Sequence, residues 1–264
     1  MAKENSDINQ PFSLTRFMLA RFAKYGPVNN HDVIKALALI IMTADHIGAY
    51  LMPEELWWRA IGRITFPVWF FLIGYARGSR ITSELLVYAG LLLVIQAVST
   101  HTIFPMNALV SIIFCRLALS IWHHYRWLER YPVETIALCV SLFLPSMYLF
   151  EYGTLAIGFA FAGRMLREGK QGPRLQILWV VLTAFFVVMQ LANFDFDLAQ
   201  MLWVTLGTFA ACWWLYHFRV TPVAMRPLPG QVIMLLSRYS LEYYVLHRAA
   251  LQLIGVFVLG IVPA

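Results

Sequence analysis

Two groups of polar residues interrupt long apolar runs and could do chemistry there. Lys35, Asp45 and His46 fall in one run, and Glu242, His247 and Arg248 fall in another near the C-terminus. Arg63, Asn107 and Arg116 break further apolar stretches between them. Each such group costs about 3 kcal/mol at membrane depth and is kept mostly where it lines a polar cavity. A histidine, with a reference pKa of about 6.5, suits general-base work near neutral pH. Arginine and asparagine can hold a developing oxyanion. The types present support proton abstraction coupled to group transfer. A proton relay in a transporter, or a purely structural pair, are the alternatives they leave open.

Spacing sharpens this. Lys35 and His46 are eleven residues apart, which on a helix brings them to within about 20° of one face and displaces them by about 16 Å along the axis. Asp45 points about 100° away, which suits pairing with Arg63 or another helix. His247 follows Tyr239, Tyr243 and Tyr244 and is expected in the inner half of the last span. His31, His101, His123, His124 and His217 fall near expected loops and are read as solvated.

The elements that must position these groups are membrane helices. Of the 264 residues 60% are hydrophobic and 13% charged, with mean hydropathy +0.67, whereas a soluble domain carries about 25% charged residues. Nineteen Phe, twelve Tyr and nine Trp exclude a disordered chain. Cys115, Cys139 and Cys212 are too scattered for a zinc cage or a disulfide framework, and no metal site is expected. Nine runs approach the 17 to 25 residues needed to cross a bilayer: 33 to 52, 60 to 76, 84 to 100, 103 to 122, 133 to 150, 152 to 166, 175 to 193, 198 to 217 and 239 to 261. The fifth and sixth, divided at Phe150 and Glu151, could instead be one helix with a re-entrant partner. The expected fold is an all-α polytopic bundle of about nine spans.

Basic residues gather on alternate connections: the N-terminal tail, Arg77 and Arg80, Arg126 and Arg130, Arg164 to Arg174, and Arg219 and Arg226. This places the N-terminus in the cytoplasm. Arg59 is the clear exception. The pI of about 9.3 is then a topology signal, with no nucleic-acid partner implied. Residues 1 to 30 read as a cytoplasmic tail in which Leu14, Phe17, Met18, Phe22 and Tyr25 form the apolar stripe of an interfacial helix. No cleaved signal is expected. The stretch from Thr221 to Pro229 reads as a loop, and residues 31 to 264 as one membrane domain.

The run from Asp32 to His46, with Ile34-Lys35 and the terminal Asp45-His46, is followed by Gly62-Arg63-Ile64-Thr65-Phe66-Pro67. Together they resemble the TraX family of conjugal-transfer proteins. Asn107-Ala108-Leu109, Glu151-Tyr152-Gly153 and Tyr244-Val245-Leu246-His247 extend the resemblance over nearly the whole chain. It implies acetylation of the N-terminal amine of a conjugative pilin, with acetyl-CoA as donor, in the bacterial inner membrane. A wider superfamily of multi-span acyltransferases is similar in a basic residue, ten residues and a His in the first span, here Lys35 and His46. Arg77-Gly78-Ser79-Arg80 is similar to its cytoplasmic Arg-x-x-Arg.

On that basis His46 is expected to be the base, Asp45 and Arg63 to fix local charge, and His247 to act as a second candidate. Lys35, Arg77, Arg80 and Asn107 are assigned to the acetyl-CoA side, with Arg63 or Asn107 also able to hold the oxyanion. Direct acyl transfer and transfer through an acetyl-imidazole both stay open. The alternatives to the pilin amine are a periplasmic glycan as acceptor, and a proton-coupled transporter or a pilus-assembly scaffold. The enzymatic reading requires a wet passage from the inner face to the imidazole.

Overall fold

The computed structural model describes residues 27–125 and 130–261. The amphipathic tail expected over residues 1 to 26 lies outside them. Among the described residues the chain is a helical bundle with no strand. Its helices are α1 (Asn30–Tyr50), α2 (Leu56–Arg63), α3 (Thr65–Tyr75), α4 (Ser83–Thr100), α5 (Ala108–Tyr125) and α6 (Pro132–Ser141). After these come α7 (Phe143–Met147), α8 (Leu155–Arg167), α9 (Pro173–Asn193), α10 (Leu198–Tyr216), α11 (Pro227–Arg238) and α12 (Ser240–Leu253), the last running into a π turn at Ile254–Val258.

Among the described residues four helices are long and apolar enough to cross a bilayer: Asn30–Tyr50, Ser83–Thr100, Leu175–Asn193 and Leu198–Tyr216. Their outer faces are apolar where a soluble bundle would be charged. Val87, Val94 and Val98 on α4, Ile177 and Val188 on α9, and Leu206 and Trp213 on α10 are all more than half exposed. This is lipid-facing surface.

Several expected spans are broken rather than continuous. The run from 60 to 76 is divided at Ile64 into α2 and α3. Pro67 has no N–H for the carbonyl of Arg63, and the Thr65 hydroxyl donates to the Gly62 carbonyl at 2.6 Å, so the ladder stops there. Pro145 does the same to the run from 133 to 150, divided at Leu142 into α6 and the short α7. The stretch read as a loop from Thr221 to Pro229 instead contains the start of α11. Pro227 occupies the first helical position, where a missing N–H costs nothing.

Two close crossings set the frame. A Cβ on Gly74 of α3 would lie 1.7 Å from the Ala160 carbonyl oxygen of α8, and one on Gly163 of α8 would lie 2.3 Å from that of Phe71. The two half-length helices therefore meet backbone to backbone. The main core gathers behind them, with Phe66, Phe71, Phe159, Phe161 and Phe186 buried in one cluster.

The first helix is tied to the end of the chain. Asn29 caps α1 reciprocally with Asp32, whose carboxylate accepts from Ser237 of α11 at 2.7 Å. Asn30 donates to the Arg219 carbonyl at 2.7 Å and accepts from the Thr221 N–H at 2.9 Å. Helix α1 also packs along α12.

Candidate functional site

A cavity of about 310 Å³ runs between α1, α3, α5 and α12, within the range of small-molecule sites. At one end stand His31 and Lys35 of α1, Arg116 of α5 and Arg238 of α11. At the other stand Asp45, Arg63, Tyr152 and Tyr244. Fourteen residues of α1 separate His31 from Asp45, about 21 Å of helix. The walls between are apolar, with Phe66, Phe70, Leu109 and Ile112 among them. Trp69 also lines the cavity, and its buried indole N–H meets no acceptor among the described residues. Such an orphaned donor is what a bound carbonyl would satisfy.

Asp45 anchors the polar end. Its carboxylate accepts two hydrogen bonds from Arg63, Nε at 3.2 Å and Nη2 at 3.0 Å, in the bidentate geometry that favours arginine. Arg59 lies 3.0 Å from the same carboxylate and donates to the Asp45 carbonyl at 2.9 Å. Both guanidinium groups stand over the Phe194 ring, 5.2 and 5.0 Å from its centroid. This accounts for Arg59, the basic residue that breaks the charge pattern of the loops. The crossing demands glycine, because a Cβ on Gly62 would lie 2.1 Å from that of Asp45.

His46 turns to the other side of α1. Its Nδ1 lies 2.7 Å from Nε2 of His247, with the rings stacked at 4.9 Å between centroids. His247 Nδ1 in turn lies 2.7 Å from the Tyr243 carbonyl. A carbonyl only accepts, so His247 carries its proton on Nδ1. With both rings neutral, its Nε2 then accepts from His46 Nδ1. The lone pair on His46 Nε2 is left over, and no partner meets it among the described residues. His46 is 3% exposed, while His247 is half-buried.

A third cluster braces the pair. The buried Arg248 donates to the Tyr244 hydroxyl at 2.9 Å, the Tyr50 hydroxyl at 3.2 Å and the Glu151 carboxylate at 3.3 Å. The rings of Tyr50 and Tyr244 stand 6.0 and 5.7 Å from that of His46. Tyr244 thus separates the cavity from the imidazole pair.

A family model described as TraX protein matches residues 30–255. The chain belongs to the TraX family. The matched stretch contains every site residue above. This TraX-family chain is also similar to a curated relative, the uncharacterized protein RP591 of Rickettsia prowazekii (strain Madrid E). The two are 28% identical over 176 residues, covering 64% of this chain and 71% of the relative. No solved structure matches it.

The expected site residues are placed unequally. Asp45, His46, Arg63 and His247 come together, with His247 level with His46. Helix α11 precedes Tyr239 and carries the start of the final helical run back to Pro227. His46 does not line the cavity. The lined face of α1, through Lys35, Met42 and Asp45, centres about 50° around the helix from His46, so the cavity stops at Asp45 and Tyr244, one side chain short of the imidazole that the expected passage was to reach. Arg77 and Arg80 are exposed on the loop after α3 and do not reach the cavity. Only the Arg80 carbonyl contributes, accepting from Arg116 at 2.6 Å.

Asn107 is fully buried and spent on structure. Its side-chain oxygen accepts from Leu109 N–H at 3.0 Å and Val110 N–H at 3.3 Å, and its amide donates to Ala89 at 3.1 Å. It caps α5 and is not part of the cavity lining. Of the other polar residues at its cationic end, His31 reads in sequence as a loop residue and Arg238 is not singled out. Arg116 had a usable signal, since it interrupts an apolar run.

Proposed function

We propose that this protein is a membrane acetyltransferase moving acetyl from acetyl-CoA to an extracytoplasmic acceptor, the N-terminal amine of a conjugative pilin. The observation that carries this reading is one cavity with a cationic end and a polar end, the latter one side chain away from a hydrogen-bonded imidazole pair. Several cations together compensate phosphate charge. Lys35, Arg116, Arg238 and His31 are the groups that fit the phosphates of CoA. With the N-terminus cytoplasmic, that end faces the pool of donor. The apolar walls fit a thin arm, and the Trp69 indole N–H fits an amide carbonyl along it.

The acyl carbon then lies near Tyr244 and Arg63. The acceptor amine, entering as the free base, sheds a proton as it attacks, and His46 Nε2 is the basic lone pair available to take it. As it takes that proton, the proton on Nδ1 shifts toward His247, whose own Nδ1–H stays on the Tyr243 carbonyl. Positive charge is thereby spread over two rings in place of one. Arg63, locked on Asp45, holds a fixed guanidinium at the polar end of the cavity, where negative charge would develop.

The test is binding followed by transfer. Acetyl-CoA at a hundred times its Kd should stabilise the detergent-purified protein by about 2.7 kcal/mol, and labelled acetyl should pass to an amine-bearing acceptor. A transporter or scaffold would be indifferent to acetyl-CoA, and that indifference would end the assignment.

A further inference from the structure

We infer that the Tyr244 hydroxyl is a catalytic hydrogen-bond donor to the acyl oxygen, a role that rests on the acetyl-transfer reading above. Tyr244 is the one wall residue that touches both halves of the site. It lines the cavity at its polar end, and its ring lies 5.7 Å from those of both His46 and His247. Any acyl group that reaches the end of the cavity and any nucleophile deprotonated by His46 must therefore meet beside this ring.

The direction of its hydrogen bond decides what the phenol can do. Arg248 Nη1 donates to the Tyr244 oxygen at 2.9 Å, so the oxygen acts as acceptor and its own proton is not used in that contact. Among the described residues no acceptor takes that proton. Arg248 is itself held from two further sides, by the Tyr50 hydroxyl and Glu151, so the phenol oxygen is fixed in place. A guanidinium donating to a phenol polarises its O–H and makes it a stronger donor. The cluster supplies one prepositioned donor beside a cavity of low polarity, where such donors count most.

The step balances without another reactant. The acceptor nitrogen attacks the thioester carbon as His46 Nε2 takes its proton, and the carbonyl π pair moves onto oxygen, which accepts the Tyr244 O–H hydrogen bond. Collapse of that tetrahedral species re-forms C=O and breaks the C–S bond. The thiolate leaves and takes up the proton held by the imidazole pair, giving amide and thiol. Tyr244 keeps its proton throughout.

Tyr50 is the internal control. It also accepts from Arg248 and also stands beside His46, yet it does not line the cavity. The experiment uses the full chain in proteoliposomes, labelled acetyl-CoA and a peptide with a free N-terminal amine as acceptor, comparing wild type, Tyr244→Phe and Tyr50→Phe. The expected result is a kcat fall of about 10²- to 10³-fold for Tyr244→Phe, the size of a lost oxyanion donor. KM for acetyl-CoA and the thermal shift with CoA should stay within about twofold of wild type, and Tyr50→Phe, which only loosens the hold on Arg248, should lose kcat by less than about tenfold. Equal rates for wild type and Tyr244→Phe, or equal losses in both variants, would overturn the donor role while leaving acetyl transfer standing. If the wild type neither binds nor turns over acetyl-CoA, the transfer reading itself falls, and the donor role with it.

Discussion

His46 Nδ1 lies 2.7 Å from His247 Nε2, two rings brought together across 201 positions of chain. The Tyr243 carbonyl fixes the proton on the far side of His247, and this fixes every other proton in the chain of bonds. His46→Gln should lower acetyl transfer by about 10²- to 10⁴-fold, the usual contribution of a general base, with membrane insertion unchanged. His247→Gln should cost less, because His46 keeps its free lone pair and loses only the ring that shares its charge. The ratio of kcat values for the two variants checks the order.

Asp45 holds two arginines in a buried site, and removing it should be costly in stability before it is costly in rate. Asp45→Ala leaves Arg59 and Arg63 uncompensated, a loss of about 3 to 5 kcal/mol. Thermal unfolding in detergent should register it as a clear drop in Tm. Replacing Asp45 and Arg63 together by Leu should recover part of that loss, though not activity.

Two predictions separate the cations that line the cavity from those that do not. Arg116→Gln should raise KM for acetyl-CoA more than tenfold, since a hydrogen bond to a charged group is worth about 1.5 to 3 kcal/mol. The same change should leave the response to dephosphorylated pantetheine thioesters unaltered. Arg77→Gln, on the exposed loop, should leave KM within about twofold. A steep KM rise in Arg77→Gln would return the phosphate site to that loop.

The crossing of α3 and α8 predicts a fold defect with no chemistry in it. Gly74→Ala must push α8 away, since the new carbon would lie 1.7 Å from the Ala160 carbonyl oxygen. Overpacking of this kind costs about 1 to 3 kcal/mol, read as a lower Tm and a smaller folded fraction.

Much of the site could be read from the residues because helical geometry is regular. Asp45 points away from the Lys35–His46 face, and the structure pairs it with Arg63. The start of the final helical run was not readable, because Pro227 and Pro229 signal a loop as strongly as they signal a helix start. The cavity's bearing was not readable either. Lys35 and His46 share a face to within about 20°, yet the lined wall centres on the other side of Lys35, an offset set by how α3 and α12 pack on α1. Asn107 looked chemical because it is polar in an apolar run, but a helix beginning in that run needs a cap. Tyr244 carries no chemical signal of its own in the sequence, since an aromatic residue in an apolar span normally packs.

The stitching of α1 to the last two helices imposes an order on biogenesis. Asp45 and its arginines are all made within the first quarter of the chain and can pair as soon as α2 inserts. The ring of His46 must wait until Tyr244 and His247 emerge from the ribosome. A nascent chain halted anywhere before them would sit in the bilayer with its ion pair in place and its imidazole unpartnered, so this centre matures only once α12 has been made.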